Sequence, residues 1–475
     1  MNLVEPADPV PVEKLGRVHF VGMGGAGMSG IARVLLQCGA EVSGSDAKDT
    51  PLLRELERLG AEVHVGHAAQ NVGTADTLVV SSAIRADNPE LVEARGRGLR
   101  VLPRAAALGA LLLDRRGVAV AGTHGKTTTT SMLTAVLQHV GAGPGYVIGG
   151  TLVTTGLGAD AGTGEVLVVE ADESDGSFLM LSPSIAVVTN VEADHLDNYE
   201  GLEAIHANFA AFVDRVAQTL VVGIDDPGAR RVADIARERG KRVRTYGEAA
   251  AADYRVSGIT AKGFATSFTL STSGGAVLEC TLPVPGRHNV LNAAAALATA
   301  DELGYDIRSA VGGLTGFTGA ARRFELKGEA GGVAVYDSYA HHPTELTADL
   351  RAARAALDSR EASDEPGRVV AVFQPHLYSR TRIFAAEFAE ALTLADEVVV
   401  LPIYAAREDP EPGVSTELIT SGIGHDRVHH IPDRAEAAAR AAALARPGDI
   451  VLTMGAGDVT ELGPDIVEVL RDRAS

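Results

Sequence analysis

The sequence predicts an α/β protein with mostly parallel sheets, on two observations. Short β-branched runs recur along the chain, and their continuous apolar character is typical of strands covered on both faces. Most of these runs are followed by a glycine-rich turn and a helix-like segment, the order in which parallel strands are connected. The predicted strands cover residues 17–22, 77–83, 117–122, 165–171, 185–190, 219–224, 368–373, 397–403 and 449–455.

The helical segments between the strands can be placed by their composition and their ends. Residues 28–39 form a largely apolar stretch that Gly39 is able to terminate as a helix cap. Residues 432–449 are rich in alanine and bounded by Pro432 and Pro447, which predicts another helix. Both segments therefore support strands joined by helices.

Two segments depart from this pattern. Residues 253–285 alternate polar and apolar side chains, which predicts an antiparallel hairpin or the edge of a sheet. The acidic and polar stretch 358–368 predicts a surface loop and not a linker between domains. Neither segment changes the predicted fold class.

Length and composition limit the class of protein. At about 150 residues per domain, 475 residues predict about three domains, with boundaries expected near residues 113 and 322. Hydrophobic residues make up 46% of the chain and charged residues 22%, which excludes a disordered chain and a coiled coil. The net charge of −20 argues against nucleic acid or an anionic membrane as partner, because such partners need a basic surface.

Cysteine usage and the first residues predict an intracellular protein. Cys38 and Cys280 are too few and too far apart for a disulfide framework or a zinc site. Residues 1–16 hold three prolines and three acids without an apolar core, so we expect no signal peptide. No run approaches the roughly 18 apolar residues of a membrane span. The sequence carries no indication of the oligomeric state.

A glycine-rich turn directly after the first strand is the first candidate site. Gly22, Gly24, Gly25 and Gly27 form a G-x-G-x-x-G pattern, which lets backbone N–H groups approach a pyrophosphate at a helix N-terminus. Asp46 follows Gly27 by 19 residues, where an acid that binds ribose is expected. The pattern predicts a dinucleotide or sugar-nucleotide ligand, and the alternative is a glycine-rich turn without a ligand.

A second turn, from Gly122 to Thr127, predicts a phosphate-binding loop. It follows a strand and precedes a helix, so that its N–H groups surround phosphates, Lys126 neutralises the β and γ oxygens and Thr127 holds Mg²⁺. Val120 occupies the first glycine position of the full pattern, but the shorter G-T-x-G-K-T segment is complete. The alternative is a buried lysine ion pair in a tight turn.

Two acidic loops follow later predicted strands. Each taken alone is more often a solvated turn, but beside a phosphate-binding loop carboxylates at strand ends predict a site for a divalent cation. The residues are Glu170, Asp172, Glu173 and Asp175 in the first loop, and Glu192, Asp194, His195 and Asp197 in the second.

The last third of the chain gathers cationic and histidine-rich segments. In a chain of charge −20, positive charge collected after strands favours an anion site over a surface pair of arginines. The segments lie at 322–325, 339–343 and 373–382. Before them, Asn289 and Asn292 share a helix face and either contact a base edge or cap the helix. Two phosphate-binding turns and a cationic third domain predict ATP-driven group transfer onto a nucleotide-bearing substrate.

Nine segments, in this order over nearly the whole chain, together resemble the Mur ligase family. They are HFVGMGGAGMSGIA, GTHGKTTTT, EADESDGSFL, NVEADHLD, PGRHNVLNA, FTGAARRFE, YAHHPTEL, FQPHLYSRT and GAGDVT. The resemblance implies a Rossmann-like UDP-sugar domain (1–113), a central P-loop ATPase-type domain (114–322) and a C-terminal dinucleotide-fold-like domain (323–475) that closes over the active site.

The resemblance also implies the reaction and its cofactors. The expected activity is the ATP-dependent joining of L-alanine to the carboxylate of UDP-N-acetylmuramate through an acyl phosphate, a step of peptidoglycan precursor synthesis that uses ATP and Mg²⁺. The glycine-rich turn then binds the UDP diphosphate and not NAD. Preorganised cations are expected to supply most of the catalysis, because both chemical steps concentrate negative charge.

Site residues follow from the resemblance, position by position. The implied ATP-binding residues are Gly122, Thr123, His124, Gly125, Lys126, Thr127, Thr128, Asn292, Arg323 and Asp337. The implied UDP-sugar residues are Gly22, Gly24, Gly25, Gly27, Asp46, Ser82, His124 and Glu173. The implied metal ligands are Thr127, Glu170 and His195, and the implied catalytic residues are Lys126, Glu170, His195, Arg380 and His342, with His376 beside Arg380 at the acyl end.

The chain departs from the family pattern in two places. The usual acidic pair before the His-His-Pro motif is Asp337-Ser338 here, so a contact of the second acid is lost or made by a hydroxyl. Residues 199–215 contain no lysine, so we expect no carbamylated lysine, which argues against the later-acting Mur ligases and the folylpolyglutamate synthetases. The alternatives are a murein peptide ligase that attaches a preformed peptide, a nucleotide-binding regulator without turnover, and an NAD-dependent dehydrogenase.

Overall fold

A computed structural model of the chain describes residues 7–196, 198–360, 366–406 and 408–474. The chain forms two compact units, each built from more than one segment. The first comprises Met1–Ser257, Thr269–Leu278 and Leu291–Phe317, and the second comprises Gly258–Phe268, Glu279–Val290 and Thr318–Ser475. Three mostly parallel sheets with helices between their strands confirm the predicted α/β class.

The first sheet has five parallel strands in the order β3-β2-β1-β4-β5. Its strands are β1 (Val18–Val21), β2 (Val42–Asp46), β3 (Glu62–Val65), β4 (Thr77–Val80) and β5 (Arg100–Pro103), and its helices are α1 (Ala26–Gln37), α2 (Pro51–Arg58), α3 (Pro89–Gly96) and α4 (Arg104–Leu112). Helix α1 ends as predicted, because Gly39 takes a φ of +86° and its N–H donates to Leu36 O. The order of the strands is that of a Rossmann-like sheet.

The second sheet has ten strands in the order β15-β14-β13-β12-β11-β10-β6-β9-β7-β8. Its strands are β6 (Arg116–Ala121), β7 (Gly145–Val147), β8 (Ala159–Asp160), β9 (Val166–Glu170), β10 (Ile185–Val188), β11 (Thr219–Gly223), β12 (Arg242–Gly247), β13 (Tyr254–Lys262), β14 (Ala265–Thr272) and β15 (Val277–Leu282). Its helices are α5 (Lys126–His139), α6 (Leu202–Arg215), α7 (Pro227–Glu238), α8 (Arg287–Glu302) and α9 (Ile307–Thr315).

The strands β13 to β15 correspond to the hairpin or sheet edge predicted for residues 253–285. They are neighbours joined by short turns, as an antiparallel arrangement requires, and along β14 and β15 buried residues alternate with more exposed ones. The strands at the centre of the same sheet are parallel, and their buried residues are continuous and apolar over 118–121, 166–169 and 185–188. The change in the sequence from continuous apolar runs to alternating polar and apolar residues therefore coincides with the change from parallel to antiparallel pairing.

The third sheet lies in the second unit and has the order β16-β17-β21-β18-β19-β20. Only β16 runs antiparallel to its neighbour. Its strands are β16 (Arg323–Ala330), β17 (Val333–Ser338), β18 (Val369–Phe373), β19 (Glu397–Val400), β20 (Val428–His430) and β21 (Ile450–Met454). Its helices are α10 (Pro343–Asp358), α11 (Tyr378–Ile383), α12 (Ala385–Leu392), α13 (Glu417–Thr420), α14 (Arg434–Leu444) and α15 (Leu462–Ala474).

One apolar core is shared by the first and second sheets. It includes residues of α1 and α4 on one side and of β6, β9 and β10 on the other. Phe178 lies on a short 3-10 turn that contacts α4 on one side and α6 on the other, and its ring centre is 4.7 Å from that of Phe212 and 5.3 Å from that of Phe209 on α6. Each such buried phenylalanine contributes roughly 1.5–3 kcal/mol of apolar burial, so the two sheets stabilise each other.

All nine predicted strands are present within one to three residues of their expected ends. The predicted alanine-rich helix is α14, bounded by Pro432 and Pro447. In the predicted surface loop 358–368, residues 361–365 lie outside the described part of the chain. Among the described residues, no helix combines the length and the apolar character that a membrane crossing requires.

Candidate active site

The turn between β6 and α5 has the geometry of a phosphate-binding loop. Gly125 takes a φ of +82° and caps α5, so that the free N–H groups of the first helical turn face the turn itself. Gly122 has a φ of +128°, and a Cβ atom there would lie 2.0 Å from Thr189 Oγ1. The turn is also held by the residues after β10, because Asn190 Oδ1 accepts from His124 N–H at 2.8 Å. The two glycines are therefore required by conformation and by space.

We expect Gly122→Ala to destabilise the first unit by about 3 kcal/mol, because it adds a steric overlap to backbone strain. The measurement is the free energy of unfolding in urea. Gly141→Ala is the matched control, since Gly141 also has a positive φ, +75°, but nothing within 4 Å of an added Cβ. The control measures the backbone strain of a side chain at positive φ by itself, which lowers the free energy of unfolding by about 1 kcal/mol. Equal losses for the two variants would contradict the steric argument.

The side chain of Lys126, the first residue of α5, folds back onto the turn that precedes the helix. Its Nζ donates to Gly122 O at 2.7 Å, to Thr123 O at 3.2 Å and to Glu173 Oε1 at 2.8 Å. Burial disfavours the ammonium charge, but the carboxylates of Glu173 and Asp172 outweigh burial and raise the pKa of Lys126. The side chain therefore carries its positive charge at the centre of the turn.

Thr127 and Glu170 offer the oxygen atoms that Mg²⁺ prefers. Thr127 Oγ1 lies 3.3 Å from Glu170 Oε2, and the other carboxylate oxygen accepts from Gly149 N–H at 2.8 Å. Two ligands on adjacent corners of an octahedron with bonds of about 2.1 Å lie about 3 Å apart. The pair fits the ion in donor type and in spacing.

The second acidic loop brings His195 to Glu173. His195 has a φ of +53°, and its Nε2 lies 3.8 Å from Glu173 Oε1 and 3.7 Å from Asp194 Oδ2. Glu173 is 3% exposed, and its Oε2 has no hydrogen-bond partner among the described residues. Oxygen donors suit Mg²⁺ better than a ring nitrogen, so His195 as a metal ligand stays a prediction. Asp197, which the sequence adds to this loop, lies outside the described residues.

The other predicted ATP residues of the first unit surround the same turn. Asn292, on α8, accepts from Thr129 Oγ1 at 3.1 Å, and its Oδ1 would lie 2.6 Å from a Cβ on Gly125. His124 Nε2 lies 3.6 Å from Glu192 Oε2. Thr128 is buried in the first turn of α5. Asn292 thus packs against the turn, as a contact to a bound nucleotide requires. Asn289, its sequence partner, donates instead to Pro285 O at 2.7 Å within the second unit.

The glycine-rich turn after β1 is held by the neighbouring strand. Ser45 O accepts from the N–H groups of Gly22 and Met23, both at 2.8 Å. Asp46 Oδ2 accepts from Gly24 N–H at 2.9 Å, and a Cβ on Gly24 would lie 3.0 Å from that oxygen. The predicted ribose acid therefore lies against the turn itself.

The remaining predicted residues of this site lie around the same end of the sheet. Gly25 is the N-cap of α1, with Gly27 in its first turn. Ser82 follows β4, which is next to β1, so that it lies at the same carboxyl edge. Ligands of open α/β sheets bind at this edge.

The structure adds a cation that the sequence reasoning missed. Arg104, the first residue of α4, lies with its Nη2 3.5 Å from Asp172 Oδ2, and its Nη1 would lie 2.6 Å from a Cβ on Gly27. It therefore links the glycine-rich turn to the acidic loop beside Lys126. The available signal was its place directly after β5, because the carboxyl ends of parallel strands form ligand crevices.

In the second unit, Asp337 anchors a cluster at the ends of the strands. It is fully buried and accepts from Thr453 Oγ1 and Thr460 Oγ1, both at 2.7 Å, while Arg322 Nε lies 3.3 Å away. The guanidinium of Arg323 lies 4.9 Å from the ring centre of Tyr339. The contact of Asp337 with a nucleotide stays a prediction.

His342 is the N-cap of α10 and part of a capping box with Glu345. Its Nδ1 accepts from Thr344 N–H at 3.4 Å. In this arrangement the neutral ring carries its proton on Nε2, so a base at Nε2 needs the other tautomer. Its role as the base that deprotonates the amine stays a prediction.

His376 and Arg380 flank the end of β18. His376 stacks on Tyr404 at 5.7 Å and meets His341 edge-on at 5.9 Å. Arg380 is buried on α11. Aromatic and cationic groups thus surround the carboxyl edge of the third sheet, which is suited to an anionic ligand.

Family models match three consecutive parts of the chain. They are described as Mur ligase family, catalytic domain (residues 17–116), Mur ligase middle domain (residues 120–300) and Mur ligase, glutamate ligase domain (residues 322–457). The matched regions follow the three sheets in order. The glycine-rich turn lies in the first region and the phosphate-binding turn in the second.

Relatives match the chain over almost all of its length. A UDP-N-acetylmuramate–L-alanine ligase of Thermobifida fusca is 74% identical over 471 residues, which are 99% of this chain and 100% of that one. The crystal structure of a UDP-N-acetylmuramate–alanine ligase from Thermotoga maritima is 30% identical, with a TM-score of 0.77, and covers 96% of this chain and 99% of that one. A murein peptide ligase of Psychrobacter arcticus is 26% identical, with a TM-score of 0.68 and the same coverage.

Proposed function

The chain belongs to the Mur ligase family, and we infer that it is an ATP-dependent ligase that joins L-alanine to UDP-N-acetylmuramate in peptidoglycan synthesis. One observation carries this function. Two glycine-rich turns at strand ends, of which one holds a partly buried lysine among carboxylates, lie in one compact unit and are linked through Arg104. An enzyme that transfers a phosphoryl group from ATP to a sugar nucleotide needs these two sites side by side.

The residues of the phosphate-binding turn take the ATP phosphates. Lys126 leaves Glu173 and the loop carbonyls and contacts the β and γ oxygens, while the N–H groups at the start of α5 surround the phosphates. Thr127 and Glu170 would hold Mg²⁺, which would neutralise phosphate charge during transfer, and His195 would be a ligand of a second ion. Asn292 contacts the adenine, and Arg323 and Asp337 contribute from the C-terminal domain.

The residues of the first sheet take the UDP sugar. The N–H groups from Gly22 to Gly27 contact the diphosphate, and Arg104 adds the positive charge that a diphosphate requires. Asp46 accepts from the ribose hydroxyls, and Ser82, His124 and Glu173 complete the site. In this assignment residues 1–113 bind UDP-N-acetylmuramate, 114–322 bind ATP and 323–475 supply the amino-acid end. Because ATP and UDP-N-acetylmuramate are cytoplasmic metabolites, we place the enzyme in the cytoplasm.

The chemistry proceeds in two steps. The lactyl carboxylate oxygen attacks the γ-phosphorus and ADP leaves, which gives an acyl phosphate. The neutral amine of L-alanine then attacks the acyl carbonyl, phosphate leaves and the amine proton passes to a base, for which His342 is the candidate. Lys126 and Arg380 stabilise the charge that develops on the phosphoryl and acyl oxygens.

The alternatives have less support. The murein peptide ligase of Psychrobacter arcticus is 26% identical, against 74% for the L-alanine ligase of Thermobifida fusca. A dehydrogenase leaves the turn around Lys126 without a function. A regulator without turnover is disfavoured because Lys126, Thr127 and Glu170, the residues that we propose bind phosphate and metal, are all present and lie together at the turn.

Phosphate release from ATP tests the proposal. With Mg²⁺ and UDP-N-acetylmuramate, we expect release to require an amine and to be fastest with L-alanine, compared with glycine, L-serine and the tripeptide L-Ala-γ-D-Glu-meso-diaminopimelate. Omission of the sugar nucleotide is the control. Preference for the tripeptide would assign a murein peptide ligase. Release that no amine stimulates would contradict the ligase.

A further inference from the structure

A hydrogen-bonded network connects β17, α10 and the first turn of α8 within the second unit. Ser338, the last residue of β17, is 2% exposed, and its hydroxyl donates to the carboxylate of Asp349 on α10. The same oxygen accepts from Ala340 N–H at 3.0 Å. The other oxygen of Asp349 lies 3.6 Å from His288 Nε2. One carboxylate therefore joins three elements.

The direction of these bonds follows from the number of protons. Ala340 N–H can only donate, so Ser338 Oγ accepts from it and offers its single proton to Asp349. An acid at position 338 would accept from Ala340 N–H directly, as aspartate does in an Asx turn. A serine makes the same turn, but its hydroxyl proton then needs an acceptor, and Asp349 is that acceptor.

We propose that Asp349, by accepting the hydroxyl proton of Ser338, acts from α10 as a positioning residue for the turn 339–342. Its catalytic meaning rests on the proposed ligase function.

The turn orders groups that face the end of the third sheet. The guanidinium groups of Arg322 and Arg323 lie 4.8 Å and 4.9 Å from the centre of the Tyr339 ring. His341 meets the Tyr339 ring edge-on at 5.1 Å, and its Nδ1 lies 2.9 Å from Tyr339 O. If Asp349 is lost, the turn loosens and the predicted nucleotide contact of Arg323 is misplaced. We therefore expect the loss of Asp349 to lower kcat/KM for ATP more clearly than it lowers the melting temperature.

Exchange of the two side chains tests the proposal. The variants are Ser338→Asp, Asp349→Ser and the double exchange, with Asp358→Ser as a control that removes an exposed carboxylate from the other end of α10. For each, kcat and KM for ATP are measured by phosphate release, and the melting temperature by calorimetry. A buried hydrogen bond to a charged group predicts that each single change lowers kcat/KM for ATP about tenfold. Asp349→Ser loses the acceptor, and Ser338→Asp places two carboxylates in contact.

The double exchange decides the outcome. We expect it to recover kcat/KM for ATP to within about threefold of the starting protein, with Asp358→Ser unchanged. A double exchange that shows the product of the two single losses, or an Asp349→Ser variant with unchanged kinetics, would overturn the proposal. If the starting protein released no phosphate with any amine, the ligase function would fail instead. The melting temperatures would still show whether the exchange restores the turn.

Discussion

Replacement of Lys126 by methionine is expected to lower kcat/KM for ATP by about 10³-fold, because it removes the partly buried cation that we propose stabilises charge on the transferred phosphoryl group. Methionine keeps the length and the apolar stem of lysine. The measurement is phosphate release under saturating UDP-N-acetylmuramate and L-alanine. Lys241→Met is the matched control, since Lys241 Nζ also donates to a backbone carbonyl, Val216 O at 2.7 Å, away from the candidate site.

Lost folding has to be separated from lost catalysis in this variant. Without Lys126, Glu173 is a buried acid with no cation in contact, and breaking a buried pair costs about 3–5 kcal/mol. The double variant Lys126→Met/Glu173→Gln removes both charges and is expected to keep its melting temperature while it stays inactive. A folded double variant with more than a tenth of the original activity would contradict the role of Lys126.

Glu170→Gln is expected to lower turnover by about 10²-fold and to raise the Mg²⁺ concentration needed for half-maximal activity, because an amide oxygen binds Mg²⁺ less well than a carboxylate. The amide oxygen of the new side chain can still accept from Gly149 N–H, so the local fold is kept. The measurement is a Mg²⁺ titration of phosphate release, with removal of the ion by EDTA as the zero point.

The matched control for this variant is Glu165→Gln. Glu165 directly precedes the same strand, β9, but it is exposed and pairs with Arg116 at 3.2 Å. We expect its Mg²⁺ titration to be unchanged. If Glu170→Gln lowered turnover without any shift in the titration, Glu170 would not be a metal ligand.

The parts of the site that the sequence predicted are those encoded locally. The turn around Lys126 combines a strand, two glycines and a helix start within about a dozen residues, so its geometry follows from neighbours in the chain. The apolar strands and Gly39 were predictable for the same reason. A glycine, a proline or an alternating pattern acts on the backbone where it stands.

The partners of these residues were not predictable, because they depend on the order of strands in the sheet. Glu170 meets Thr127 since β9 pairs with β6 in a register that places Val120 opposite Glu170. The residues by themselves predicted carboxylates near the turn, and the resemblance to the Mur ligases was needed to select Glu170 as the partner of Thr127. The contacts of Arg104 and Asp349 depend on helix packing. The place of Arg104 directly after β5 was a local signal for a ligand crevice, whereas no local pattern distinguishes Asp349 from a surface charge.

The apolar core shared by the first two sheets makes their two ligand sites thermodynamically linked. Ala105 to Leu112 of α4 are buried, and a Cβ on Gly109 would lie 2.6 Å from Met180 O, so that neither sheet can lose its structure without exposing the other. A ligand that binds only the folded unit stabilises all of it. In the proposed assignment, we expect a sugar nucleotide bound at the first sheet also to suppress local opening around Lys126. Its binding would thus keep the turn around Lys126 ordered before ATP arrives.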